Sequence, residues 1–193
     1  DGPIAEGGRD DPDGDLERGL RCSFASEQWR EDAARQLTRF CNELLATEES
    51  NHIVGMQVTG GVYGEWHHWS FMHHPDLSPA MARRFRAWLR EAYGTDAALQ
   101  KAWGDPDVTL DTAEPPGLAS RLESQAGVFR DPARERWMID YGHCHQRTVE
   151  ECVLHFCRTA KESWPRPLII GIFHNYYFCQ KEMVDGGHLE LAK

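Results

Sequence analysis

The stretch "GGVYGEWHHW", Gly60 to Trp69, sets one carboxylate, Glu65, among indole, phenol and imidazole rings and just after a pair of glycines. A carboxyl group beside apolar rings has its ionised form desolvated, which favours the protonated form that a general acid needs. Aromatic faces also stack on the apolar faces of sugar rings, while a few polar groups fix the hydroxyls. Tyr63, Trp66, His67 and Trp69 supply such rings around Glu65, and a second cluster further on, "HNYY", adds His174, Asn175 and Tyr176. The two clusters read as a carbohydrate site with Glu65 as its acid/base group.

Plainer uses compete for the same residue types. A Glu after a glycine turn is often a surface loop residue. His67, His68, His73 and His74 could ligate a transition metal. Adjacent histidines point apart in extended chain, however, and no H-x-x-x-H or H-E-x-x-H pattern appears, so no metal ligand and no cofactor is expected. Trp88, Trp137 and Trp164 stand at helical spacing or at a helix end and read as packing residues. Ser78 and Asp131 are accounted for as helix caps. None of the six cysteines, Cys22, Cys41, Cys144, Cys152, Cys157 and Cys179, forms a C-x-x-C pair, and they read as reduced thiols of a cytoplasmic protein.

The elements that must position these clusters are legible in outline. Residues 1–22 are rich in Gly, Asp and Arg and are expected to be flexible. Trp29, Ala33, Leu37, Phe40, Cys41 and Leu44 recur at helical steps between Ser26 and about Thr47, and "HIVGMQVTG", 52–60, reads as a buried strand ending just before Glu65. Ser78, Pro79 and Gly94 bracket a second helix, and Thr95 and Gly104 a third. A long helix is expected from a cap at Asp131 with Pro132 at its first position, with Trp137, Tyr141, Thr148, Cys152 and Phe156 inward. A second strand, about 167–174, carries His174 at its C-terminal end. Helix, strand, helices, strand is the order of an α/β protein with adjacent parallel strands, in which reactive groups gather at the strands' C-terminal ends.

Size and charge narrow the function classes. The 193 residues carry a formal charge of −10, which opposes binding to a nucleic-acid backbone. No apolar run approaches the roughly 20 residues of a membrane helix, and the acidic, glycine-rich N-terminus does not resemble a signal peptide. The chain is short for a complete α/β barrel, which takes about 250 residues.

Three segments together, "SFASEQWREDAARQLTRFCNELL", "HIVGMQVTGGVYGEW" and "DLSPAMARRFRAWLREAYGTDAALQKAWG", give the chain a family resemblance. With "FRDPARERWMIDYGHCHQRTVEECVLHFCRTAKE" and "LIIGIFHNYY", they resemble the middle of a β-galactosidase-like glycoside hydrolase barrel of the family 42 kind. The ordered set of GEW, the S-P-x-x-x-x-x-F-R-x-W-L-R-x-x-Y-G helix and the A-W-G close is its most specific part. The resemblance implies a helix-rich α/β fold, a partial (β/α)8 barrel segment with two parallel strands, spanning 23–193 as part of a catalytic domain. It implies that GEW ends the fourth barrel strand and that Glu65 is the general acid/base.

Gly64 stands where many enzymes of this clan carry an Asn, so contact with the sugar 2-hydroxyl does not carry over. A retaining glycosidase needs a second carboxylate about 5–5.5 Å away. By resemblance that nucleophile lies on a late strand, and "GGHLELAK" closes the sequence ahead of it; nothing marks Glu182 or Asp185 for the role. Two other functions fit the same clusters: a non-catalytic carbohydrate-binding or pseudo-enzymatic module, and a His-rich metal-binding module. A barrel segment also leaves strand edges uncovered, so exposed apolar surface and self-association are expected.

Overall fold

A computed structural model of the protein describes residues 3–5, 20–61, 64–66, 76–117, 120 and 130–173. The described chain is helix-rich, with two small sheets. Strands β1 (Pro3–Ala5) and β2 (Leu20–Cys22) form an antiparallel ribbon, so the N-terminal segment expected to lack structure contributes one short pairing. Helix α1 (Glu27–Leu45) follows, and Ser26 caps it by accepting a hydrogen bond from the Trp29 N–H. A 3-10 turn, Glu48–His52, leads into β3 (Gly55–Gln57), shorter than the expected 52–60: the turn takes up His52, and the ladder with the later, parallel strand covers only 55–57.

Helices α2 (Pro79–Tyr93) and α3 (Asp96–Trp103) have the expected boundaries. Ser78 and Thr95 cap them through the N–H groups of Met81 and Ala98. Gly94 and Gly104 end them with left-handed backbone, φ 73° and 69°, where a side chain would be strained. Helix α4 (Arg136–Glu162) starts five residues beyond Asp131, against expectation. Asp131 instead holds a turn by accepting from Ala133 N–H, and Glu135 reaches back to the Asp131 N–H at 2.7 Å and to Arg130 at 3.0 Å. Strand β4 (Ile169–Gly171) then lies parallel to β3, with Met56 opposite Ile170.

With 27 residues, α4 is about 40 Å long and serves two cores. Its first half packs Tyr141 and Cys144 against Met81, Phe85 and Leu89 of α2 and Leu99 of α3. Its second half packs Val149, Cys152, Val153 and Phe156 against Phe24, Val58 and Trp66, with Trp29 and Leu37 of α1 alongside. A third cluster, Cys41, Trp164 and Leu168, closes the other end of the sheet. Met56, Val58, Leu168, Ile170 and Ile172 thus face helices, while Ile169 and Phe173 on the alternate positions are 72% and 47% exposed. Val54, just ahead of β3, is 73% exposed.

The parallel, adjacent strand pair is the relation expected from sequence order. Among the described residues no helix is long and apolar enough to cross a membrane.

Candidate functional site

The site begins where β3 ends. Val58 donates its N–H to Gly171 O at 2.9 Å, which fixes the end of β3 to β4, and the chain then turns through Gly60 and Gly61 toward Glu65. Gly61 and Gly64 have φ of 69° and 79°. Trp66 has φ 58°, the one non-glycine residue with positive φ among the described residues. For an L-residue that conformation costs about 1–2 kcal/mol, so the surrounding structure must hold it.

Four contacts do so. The Trp66 backbone N–H donates to Gly60 O at 2.7 Å, and its indole Nε1–H donates to Val58 O at 3.1 Å. Its ring stacks on Phe156 at 5.8 Å and tilts against Phe24 at 6.0 Å. The side chain is 1% exposed. Burying a large apolar ring contributes on the order of 1.5–3 kcal/mol, enough to offset the backbone strain.

Trp66 therefore corrects one sequence expectation. It was read as a wall of the sugar subsite, whereas the left-handed backbone turns its indole into the core between α4 and the start of α1. Glu65, immediately before it, is half-buried. Tyr63, His67, Trp69, His174, Asn175 and Tyr176 lie outside the described residues, as do His68, His73, His74, Glu182 and Asp185. The structure does bring the carriers of the two clusters together: β3 and β4 are parallel and in register, so the chain leaves both strands at the same end of the sheet.

Beside β3, a groove of about 440 Å³ runs along α1. Trp29, Leu37 and Phe40 line one side, Met56 and Val58 the other, and Trp66 and Phe156 its end.

Residue-type reasoning missed a second anchor, Asp76, which is 3% exposed. Its carboxylate accepts from Ser23 Oγ at 2.5 Å and from the Ser78 N–H at 3.0 Å, and its carbonyl accepts from Tyr141 OH at 3.0 Å. The "DLSP" spacing marks Asp76 as a turn residue ahead of the Ser78 cap, but no local signal pairs it with Ser23, 53 residues earlier. Trp66 and Asp76 thus pin the two ends that flank residues 67–75.

Two of the cysteines, Cys144 and Cys152, are poor rivals to Glu65 as reactive groups. Cys22, Cys41, Cys144, Cys152 and Cys157 are free thiols. Burial pushes Cys144 and Cys152 up to about 12, which leaves too little thiolate near neutral pH for a nucleophile or a ligand. No three His, Cys, Asp or Glu side chains among the described residues converge in a way that could hold a metal ion.

No family model matches the chain, and no curated protein matches it by sequence. Solved structures do. The β-galactosidase of the psychrophilic Marinomonas ef1 aligns at a TM-score of 0.57 and 23% identity, over 88% of this chain and 24% of its own. That of Bacillus circulans sp. alkalophilus aligns at 0.55 and 20%, over 79% and 21%. The polyextremophilic β-galactosidase of the Antarctic haloarchaeon Halorubrum lacusprofundi aligns at 0.53 and 20%, over 84% and 22%. The chain therefore spans less than a quarter of the length of these enzymes, and over that span it has a β-galactosidase-like fold.

Proposed function

We propose that the chain is a segment of a glycoside hydrolase with a β-galactosidase-like (β/α)8 barrel of the family 42 kind, acting on O-glycosides through Glu65 as general acid/base. The observation that carries this reading is the position of Glu65 beside the anchored Trp66, eight residues past the C-terminal end of the parallel strand β3, the end at which barrel enzymes place reactive groups. Two further features favour a larger barrel. The exposed Ile169 and Phe173 leave apolar side chains uncovered on one sheet face, and an apolar groove lies beside β3.

In this function Glu65, protonated, gives its proton to the glycosidic oxygen as the bond to the sugar carbon breaks. The resulting carboxylate then takes a proton from the water that attacks that carbon and restores the acid. A second carboxylate, supplied by a later strand of the barrel, holds the sugar as a covalent glycosyl intermediate between the two steps. Tyr63, His67, Trp69, His174, Asn175 and Tyr176 are the residues assigned on this reading to sugar recognition, and a β-galactoside is the substrate class to try first.

The test is hydrolysis by the natural polypeptide that contains this chain. Glu65→Gln should lower the rate on unactivated galactosides about 10²- to 10⁴-fold. Azide should restore turnover on an activated aryl galactoside, because it attacks the glycosyl intermediate without needing a general base. Parental rates on unactivated substrates would make Glu65 a loop residue and end this reading.

A further inference from the structure

Glu65 has a neighbour that is fixed in every respect, and the fixing runs back to the sheet. Val58 is the common point: its N–H is bonded to Gly171 of β4, and its carbonyl accepts the Trp66 indole N–H. The Trp66 backbone N–H closes the loop onto Gly60 O. Gly60 makes the geometry available, since a Cβ there would come within 2.6 Å of Trp66 Cζ3, closer than carbon atoms approach. Gly64 contributes from the other side of Glu65, with φ 79° and a Cβ position 2.9 Å from Thr59 Cβ.

On the acid/base reading of Glu65, we propose that Trp66 is the positioning residue for its carboxylate and that Gly60 is the gap that seats the indole. With residue 66 held at backbone, ring and ring nitrogen, the Glu65 Cα lies one peptide unit from a fixed point. The root of its side chain is thereby referenced to β3 and β4, which narrows the region its carboxylate can sweep. Trp is the residue required, because Phe would keep the stacking on Phe156 but lose the bond to Val58 O. A placement error of about 1 Å can lower a rate about 10²-fold, so a lock of this kind matters for a proton donor.

The test uses carboxyl-labelled glutamate in this chain and ¹³C spectra, with the Glu65 line identified by its loss in Glu65→Gln. In the parent that line should be single and sharp. In Trp66→Phe, and independently in Gly60→Ala, it should broaden or split as the carboxylate samples several positions, while the lines of Glu43 on α1 and Glu151 on α4 stay unchanged. A Glu65 line that is equally sharp and unshifted in both variants overturns the positioning role, because a merely structural residue would leave it alone. Indole N–H exchange in the parent is a check that needs no variant: the Trp66 Nε1–H should exchange far more slowly than a free indole, and equal rates would show that the lock does not exist. These outcomes are separate from catalysis. Loss of the acid/base reading in the hydrolysis assay would leave the spectra unaffected, and unmoved spectra would remove the positioning role whatever the hydrolysis assay gives.

Discussion

Asp140 offers the sharpest test of how the helices are joined. It is 0% exposed on α4, yet it carries a carboxylate. Its Oδ2 accepts from Tyr93 OH at 2.5 Å and Trp103 Nε1 at 2.8 Å, and its Oδ1 accepts from Arg136 Nε at 2.9 Å. These donors end α2 and α3 and begin α4, so one side chain clasps three helices. Burial pushes the Tyr93 phenol up, and the hydrogen bond to Asp140 adds to that.

Asp140→Ala would strand all three donors. Arg136, 44% exposed, can turn to water, and its ion-pair share is small. Tyr93 OH and Trp103 Nε1 are less free to do so, and each unmade bond costs about 1–3 kcal/mol. Two such bonds sum to about 2–6 kcal/mol, with about 3–5 kcal/mol as the central range. At about 2–4 °C per kcal/mol for a chain of this size, the melting temperature should fall by about 6–20 °C. Asp140→Asn keeps the volume and one acceptor and should cost about 1.5–3 kcal/mol. Urea and thermal unfolding followed by circular dichroism, with a Tyr93→Phe double-mutant cycle, supplies the numbers. An Asp140→Ala loss below about 1 kcal/mol, the level of an ordinary substitution, would refute the clasp.

Three further outcomes are expected. Because burial raises the Cys144 and Cys152 thiols from 9.0 to about 12, their protonated forms favour the fold: that contribution is complete below pH 9 and is lost as pH rises toward 12, by about 1.4 kcal/mol per pH unit and thiol. Urea midpoints measured across that range should fall less steeply in Cys144→Ala and Cys152→Ala. Ser23→Ala removes the 2.5 Å bond to buried Asp76 and should cost about 1–3 kcal/mol in the same unfolding assay, whereas a neutral result would make that bond incidental. Ile169→Lys, at a position 72% exposed, should change stability by less than about 0.5 kcal/mol while lowering apolar-dye binding and light scattering of the isolated chain; a large destabilisation would mean that this sheet face is covered.

The sequence by itself determined the elements whose signals are local. Ser78-Pro79 with Gly94, and Thr95 with Gly104, set α2 and α3 because caps and left-handed stops act within one turn of chain. The parallel pairing of β3 and β4 followed from element order. Local signals also misled: Asp131-Pro132 has the form of a helix start, but Glu135 bonded back to Asp131 N–H delays α4 to Arg136. The "YG" and "AWG" segments were noticed as pattern, and the tertiary fold supplied their reason in Asp140, which lies 47 and 37 residues away from Tyr93 and Trp103. Glu65 was picked out by residue type and by its place after a strand. The direction of Trp66 was decided only in three dimensions, because it depends on Phe24, Phe156 and the carbonyl of Val58, and no periodicity in a glycine-rich loop encodes which of two adjacent side chains turns inward.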